Sequence, residues 1–450
     1  MLKAFKKLWN NERGNALIIF GASLPLLVGA AGIATDTIQW TLWKRQLQRA
    51  ADSGAIAGVY TRIKTDTQEA VAAAVNADLA INNHVGIALQ TGYPNIDRPA
   101  DDGNKKKQVK VTLQIAKSLP FSSMFMSAAP DIRATATAAS VPGAGQYCII
   151  GLDPSVAVTG VEISGSTYLD LGNCSLIANS TNPTTAASNG TSSASGGNGS
   201  TVKAASLAAS GGVQYSKSWN VKDYDPNSPA ADDPFSGVAK PKSADCTKNI
   251  TLDGSKDVDR SSTDSAGEVV CITNVKGGKP DGLTIQKTMK LGPATYIING
   301  GDLTMNNNNA SLSCTGCTIA MTNFSDPTKT GNIKLTGGAL NLTAPTTTGN
   351  YKGIALYQDP RATDSGQKSQ NHINGNSGQS ITGAIYVPGR SILYNGGGSY
   401  SGQATEVGAC MMLVGKRVEF GGNSKVKALD ECTSSGLPPA QGGQRVRLVA

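Results

Sequence analysis

Histidine is nearly missing from this chain: of 450 residues only His84 and His372 are histidine. That scarcity argues against histidine-rich metal centres and against a catalytic relay built on imidazole. Aromatic residues are 5 % and charged residues 16 %. The 40 basic and 32 acidic side chains leave a net charge of +8. This charge is diluted over a surface rich in Ser, Thr, Asn and Gly, not concentrated as a nucleic-acid interface needs. Two catalytic signatures are also absent, the Gly-x-Ser-x-Gly nucleophile elbow and the P-loop. No nucleic-acid partner, metal or cofactor is expected. The length itself suffices for roughly three domains of about 150 residues.

Cysteine is unevenly placed. None occurs before residue 148, and then there are eight: Cys148, Cys174, Cys246, Cys271, Cys314, Cys317, Cys410 and Cys432. An even set confined to one part of the chain suggests disulfides and an oxidising compartment. Neighbour pairing is the expected arrangement, Cys148–Cys174, Cys246–Cys271, Cys314–Cys317 and Cys410–Cys432, with free buried thiols as the alternative. Zinc is disfavoured, because Cys314-Thr-Gly-Cys317 supplies half of a four-ligand site and no second close pair exists.

One long apolar run is present. Ala16 to Thr35 reads ALIIFGASLPLLVGAAGIAT, without a charge. As a helix it would span about 30 Å, the thickness of a bilayer core. Lys3, Lys6, Lys7 and Arg13 precede it, offset by Glu12, a bias that keeps the amino terminus cytoplasmic and sends the rest across. Pro25 is tolerated in membrane helices. The expectation is a cytoplasmic basic arm over 1–15 and a retained single-pass helix over 16–35. The alternatives are a signal cleaved near Val28-Gly29-Ala30 and a buried soluble helix. The anchor is favoured because the helical pattern continues past Asp36, with Trp40 and Trp43 where interfacial aromatics sit.

Beyond the span, Leu47, Ala51, Gly54 and Gly58 recur at spacings of three and four and make one helix face narrow and smooth, suited to close helix packing. That face is the proposed helix interface, either with other subunits or within one subunit. Gln68 to Ala80 is a second helical run. Asn82 to Lys107 reads as loop, ending in the solvated turn Lys105-Lys106-Lys107. Val109, Val111, Leu113 and Ile115 then alternate with more polar neighbours, as does Ile132 to Ala138, which predicts two paired strands. Residues 36–140 therefore form a small membrane-proximal α+β module, closed by Val141-Pro-Gly-Ala-Gly145.

From Gln146 on, short apolar runs alternate with Gly and Asn turns, for example Tyr296-Ile-Ile298, Leu303-Thr-Met305, Ile333-Lys-Leu335, Leu340-Asn-Leu342 and Val418-Glu-Phe420. Glycine numbers 52 in the whole chain, well above the usual ~7 %. This rhythm predicts a mainly-β domain over 146–435, a right-handed parallel β-helix with coils of unequal length, with a β-sandwich as the alternative. Thr181 to Gly212 reads as a low-complexity insertion, Trp219 to Asp233 with Phe235 as a long loop anchored by isolated aromatics, and 436–450 as a tail.

Little in the body suggests chemistry. Asp253, Asp257 and Asp259 crowd one stretch, but the spacing is not that of an EF-hand and a solvated acidic turn explains it. The carboxylates and arginines that a polysaccharide-active enzyme would need, among Asp153, Glu162, Asp170, Asp359, Arg361 and Arg390, form no pattern. No enzymatic activity is expected, and fold analogy alone would be a weak warrant for one.

The amino-terminal segment resembles the TadE/TadG-like family of the Flp, or tight-adherence, pilus-assembly system. The resemblance rests on Glu12-Arg13-Gly14-Asn15 opening the apolar run, on Pro25, Gly32 and Asp36, and on Leu47-Gln-Arg-Ala-Ala-Asp52-Ser-Gly-Ala-Ile-Ala57 after it. It covers roughly residues 10–60, and the large exported region is similar to the TadG branch. It implies a non-catalytic bacterial envelope protein in the inner membrane, with a periplasmic body, acting with other pilus-assembly or pilin-like proteins as scaffold, anchor or minor subunit. Pilin-like members are processed after a glycine with a glutamate five residues on; here Gly14 is followed at that position by Ile19, which favours a retained anchor. The rival class is an adhesin binding glycan or peptidoglycan through the β domain.

Overall fold

The computed structural model describes residues 12–81, 87–182, 187–188, 199–214, 219–347, 349–364, 371–374, 380–396, 411–422, 425–427, 437 and 442–449. The chain divides into two compact units, one of residues 1–141 with 446–450, the other of residues 142–445. His84, Cys410, Cys432 and most of the cytoplasmic arm fall outside the described residues, as does much of the Ser/Thr/Asn-rich insertion.

The first unit starts with α1 (Glu12–Lys64), a single helix that runs through Pro25 without a break. At 1.5 Å per residue it is about 80 Å long. Its part from Ile19 on contains a stretch apolar and long enough to cross a membrane. Arg62 and Lys64 lie in its last turn, where cations offset the helix dipole. After a short turn comes α2 (Gln68–Ile81), with Glu69 in its first turn and the Thr67 hydroxyl accepting from the Ala70 amide at 3.3 Å. That is an N-cap in the favoured chemistry.

Three antiparallel strands complete the unit: β1 (Asn95–Asp97), β2 (Lys106–Ala116) and the first part of β3 (Asp131–Gly151). The apolar alternation of β2 puts Val109, Val111, Leu113 and Ile115 on one fully buried face. Across the ladder Leu113 stands opposite Ala134 and Ile115 opposite Ile132. Both helices pack their small and β-branched residues on this face, forming one core.

The second unit is built from parallel strands in three ladders. One runs through Lys248–Ile250, Val269–Ile272, Thr295–Asn299, Thr318–Thr322, Ile354–Gln358, the second half of Ser380–Val387 and Met411–Gly415. A second links Val258–Asp259, Thr288–Leu291, Ser311–Thr315, Ala339–Thr343 and the first half of Ser380–Val387. A third links Leu283–Thr284, Leu303–Met305, Ile333–Leu335, Asn371–Asn374, Ile392–Gly396 and Val418–Gly422. The chain spacing between paired residues is uneven, since Tyr296 pairs with Ile319 and Ile319 with Leu356. That explains why no fixed period is visible in the sequence.

The order of the rungs departs from the order of the chain. Leu413 pairs with Ile149 of β3, which on its other side pairs with Leu176, and Leu176 with Leu207. The unit's first strand therefore sits inside the ladder. The later strands stack on one side of it and Cys174–Ala178 and Thr201–Ala209 on the other. Thr201–Ala209 is a regular strand, although it lies within the stretch read from composition as an insertion. Likewise Gly442–Leu448, within the segment read as a tail, is a strand.

Between the ladders lies an apolar core filled by Leu, Ile, Val and Met side chains such as Leu303, Leu312, Ile333 and Leu340. Stacked turns approach closely enough to require glycine. Gly301 has φ +71°, and a Cβ there would collide with the backbone of Gly282. The first ladder is also buried on its outer face. Cys271, Ile297, Ala320, Tyr357, Tyr386 and Met412 form a second cluster there, with Ala231 and Phe235 from the segment after residue 225.

Candidate functional site

The residues singled out by the sequence lie on α1. Leu47 and Ala51 are fully buried. A Cβ at Gly54 would stand 3.3 Å from Val75 of α2 and 3.9 Å from Val111 of β2, and at Gly58 only 2.7 Å from Val109. The smooth face is thus covered from within the same unit by α2 and β2. Small residues are needed because the helix sits tightly against both. These contacts are intramolecular, and the space beside Gly54 and Gly58 is filled by valines of the same unit.

The exposed part of the helix lies upstream. Ile19, Phe20, Leu26, Leu27, Val28 and Ile33 are all more than half exposed. Lys117 places its ammonium 4.4 Å from the Trp43 ring centroid, a cation–π contact just past the apolar stretch. Asp36, the first charged residue after that stretch, is buried, and accepts from the amides of Phe121 at 2.9 Å and Ser122 at 2.5 Å. The sequence pattern did not reveal this partner.

At the other end of the helix, Asp66 gathers three cations. Arg62 and Arg98 each stand 3.0 Å from one carboxylate oxygen and Lys107 2.6 Å from the other. The Lys107 hydrogen bond, seconded by Arg62, holds the Asp66 carboxyl down at about 2. One member of the basic run is thereby an internal tie.

In the second unit the structure bonds Cys148 to Cys174, Cys246 to Cys271 and Cys314 to Cys317. Cys148–Cys174 links neighbouring rungs, and Cys246–Cys271 ties one end of a strap to the ladder. The strap begins where Asn179 and Ala231 exchange two hydrogen bonds of 2.8 Å. Further along, the Tyr386 hydroxyl donates to Asp233 at 2.7 Å and the Phe235 ring packs edge-on to Tyr386. Of Trp219 to Asp233, read from the sequence as a long loop, Asn220–Asp225 is instead a strand paired in parallel with Thr201–Ala209, and only the part beyond it, with Phe235, belongs to this strap.

Two buried carboxylates in this unit, Asp264 and Asp359, have their partners close by. Asp264 accepts two bonds from Arg260, at 2.6 and 2.7 Å, and one from the Tyr296 hydroxyl at 2.9 Å. The Arg260 hydrogen bonds lead in holding its carboxyl below the usual carboxylate range, against burial. Asp359 is fully buried beside Arg361 at 2.6 Å and the Thr322 hydroxyl at 2.7 Å. For Asp359, burial pushes the carboxyl up, and the Arg361 and Thr322 hydrogen bonds more than offset it.

Of the other carboxylates and arginines considered for chemistry, three have charged or polar partners close by, and Arg417, which meets Asp153, also meets Asp364 at 2.9 Å. Asp170 meets Lys203 at 3.4 Å, Asp153 meets Arg417 at 3.4 Å, and Arg390 donates to Asn332 at 2.6 Å. Asp253 and Asp259 each accept from a serine two residues on, and Asp257 from the Thr288 amide. Among the described residues no group of three or more His, Cys, Asp or Glu side chains gathers to hold a metal. His372 is half-buried on the strand Asn371–Asn374.

One long apolar helix entering a small α+β unit, followed in the chain by a body of parallel strands, defines the class of protein. Residues 14–75 match the family described as putative Flp pilus-assembly TadE/G-like, a family generally without enzymatic activity. The matched segment spans most of α1 and part of α2, and it supports involvement in Flp pilus assembly. No curated protein and no solved structure matches the chain.

Proposed function

We propose that this protein is a non-enzymatic component of Flp pilus assembly, anchored in the bacterial inner membrane by the span at 16–35, with its body in the periplasm. There it acts as scaffold, anchor or minor pilin-like subunit. The observation that carries this reading is the coincidence of the family match with α1. The matched residues 14–75 contain both the apolar stretch and the small-residue face that packs the membrane-proximal module. With Gly54 and Gly58 engaged by valines, contact with other pilus-assembly proteins falls to one side of the apolar stretch upstream, within the bilayer that covers the rest of it.

The body is read as a three-faced parallel β-helix. Three parallel ladders visited in the same succession, an enclosed apolar core and unequal repeats support that architecture, and the right hand follows the general rule for parallel crossovers. The disulfides support an oxidising compartment. The body's exposed large apolar side chains among the described residues are Val156, Tyr168 and Val275. They include no row of aromatics of the kind that stacks on sugars, which favours a scaffold over a glycan-binding adhesin.

An in-frame deletion complemented by the wild-type chain tests the role. The expected outcome is loss of surface pili on deletion and their return on complementation. A chain whose residues 16–35 are replaced by an unrelated apolar helix is expected to insert yet restore pili poorly. Normal piliation in the deletion strain would overturn the assignment.

A further inference from the structure

We infer that the connection between β2 and β3 is a second membrane contact: the turn around Met124 and Phe125 seats in the lipid headgroup and upper acyl region beside the helix. The inference rests on the anchor reading of α1 and adds to it an element that lies outside the helix.

Residues 117–130 join two antiparallel strands. From Ser118 to Pro130 they read SLPFSSMFMSAAP, with no charge. Long connections in a soluble protein are polar, because they run through water. This one instead displays Met124 and Phe125, each 75 % exposed, and Met126, 50 % exposed. An exposed apolar cluster of this kind marks an interaction surface.

Its position says what covers it. The ring of Phe121 fills the space where a side chain at Gly32 would stand, so the turn touches α1 within the last turn of the uncharged stretch. Ser122–Met124 form one turn of 3-10 helix, and Asp36 accepts from the amides of Phe121 and Ser122 and from the Ser122 hydroxyl. A carboxylate at the edge of a bilayer is costly unless donors surround it, and the free amides that open a helical turn are costly in lipid. Each satisfies the other. The apolar surface of the span therefore continues onto Met124, Phe125 and Met126, while Trp43 and Lys117 stand at the polar edge. A bilayer is the occupant that covers both surfaces at once. Two contacts instead of one would fix the tilt and rotation of the small α+β unit on the membrane.

The test uses the full chain in phospholipid nanodiscs of mixed zwitterionic and anionic lipid, with an environment-sensitive fluorescent amino acid at position 125, at Leu27 within the span, or at Lys105. Lipids carry a nitroxide either near the headgroup or deep in the acyl chain. Position 125 is expected to emit to the blue and be quenched most by the shallow nitroxide, Leu27 by the deep one and Lys105 by neither. Quenching at Leu27 without quenching at 125 would overturn the second contact and leave the anchor standing. No quenching at either site would overturn the anchor and with it this inference. Shielding of 125 only in discs holding two copies would replace lipid by self-association. A probe at Met124 repeats the reading should substitution of Phe125 disturb the turn.

Discussion

Gly58 and Asp264 show how single residues carry the account. A Cβ at Gly58 already meets Val109 at 2.7 Å and Val75 at 3.2 Å. Gly58→Leu is therefore expected to destabilise the small α+β unit by about 1–3 kcal/mol through overpacking, read as faster limited proteolysis between residues 64 and 106. Gly54→Ala, with its nearest contact at 3.3 Å, is expected to change stability by less than about 1 kcal/mol, since alanine's helix preference offsets the crowding. Unchanged proteolysis of Gly58→Leu would contradict the packing. Asp264→Asn leaves Arg260 facing a neutral group in a buried site and is expected to cost about 3 kcal/mol of body stability in urea unfolding. The pH dependence has a definite sign. Because the Asp264 carboxyl is held below its usual value, its contribution is complete above the unfolded carboxylate value of about 3.9 and is lost as the pH falls below it. The smoothness of the Gly54–Gly58 face was legible from spacing alone. What lies across it was not, because spacing along one helix carries no information about the valines that fill the gap. The Arg260–Asp264 pair was not read from the sequence, and the Tyr296 hydroxyl that completes the site arrives through the ladder.

At the scale of elements, the loop before α2 and the hairpin of β1 and β2 are joined through Asp66. Its carboxyl, lowered to about 2 by Lys107 and then Arg62, supplies stability that is intact above about pH 4 and declines as the pH falls toward 2. Hydrogen exchange of residues 95–116 is expected to accelerate over that window, and Asp66→Asn to flatten the response while raising exchange at neutral pH. A flat profile in the wild-type chain would show that the three cations do not bind this turn. The strap offers a separate check. Cys246→Ser with Cys271→Ser is expected to cost about 2–4 kcal/mol and to admit protease between Asp233 and Cys246; continued protection would mean that Tyr386 and Asn179 hold the strap without the bond. The alternation over Val109–Ile115 announced β2 because a half-buried strand repeats every two residues. The pairing of Ile149 with Leu413 had no such signal: the two residues lie nearly a whole unit apart in the chain, and each looks like any other short apolar run.

For the whole molecule, the sequence divides itself by composition. An uncharged stretch follows a basic arm, and every cysteine lies far beyond it, so a helix of membrane-crossing length separates a short arm from the part that carries disulfides. The α+β character of the first unit and the β-rich texture of the second were both readable, because local periodicity and turn residues report local structure. The insertion of the unit's first strand within its own ladder was not, since it depends on contacts made only after the chain has returned. The central claim is that one helix anchors the chain in the membrane and exports everything after it. The most direct measurement is protease added to intact spheroplasts bearing the protein with a tag on each end. The account predicts that the carboxy-terminal tag and the body beyond Trp43 are digested while the amino-terminal tag survives until lysis; a body protected until the membrane is broken would contradict it.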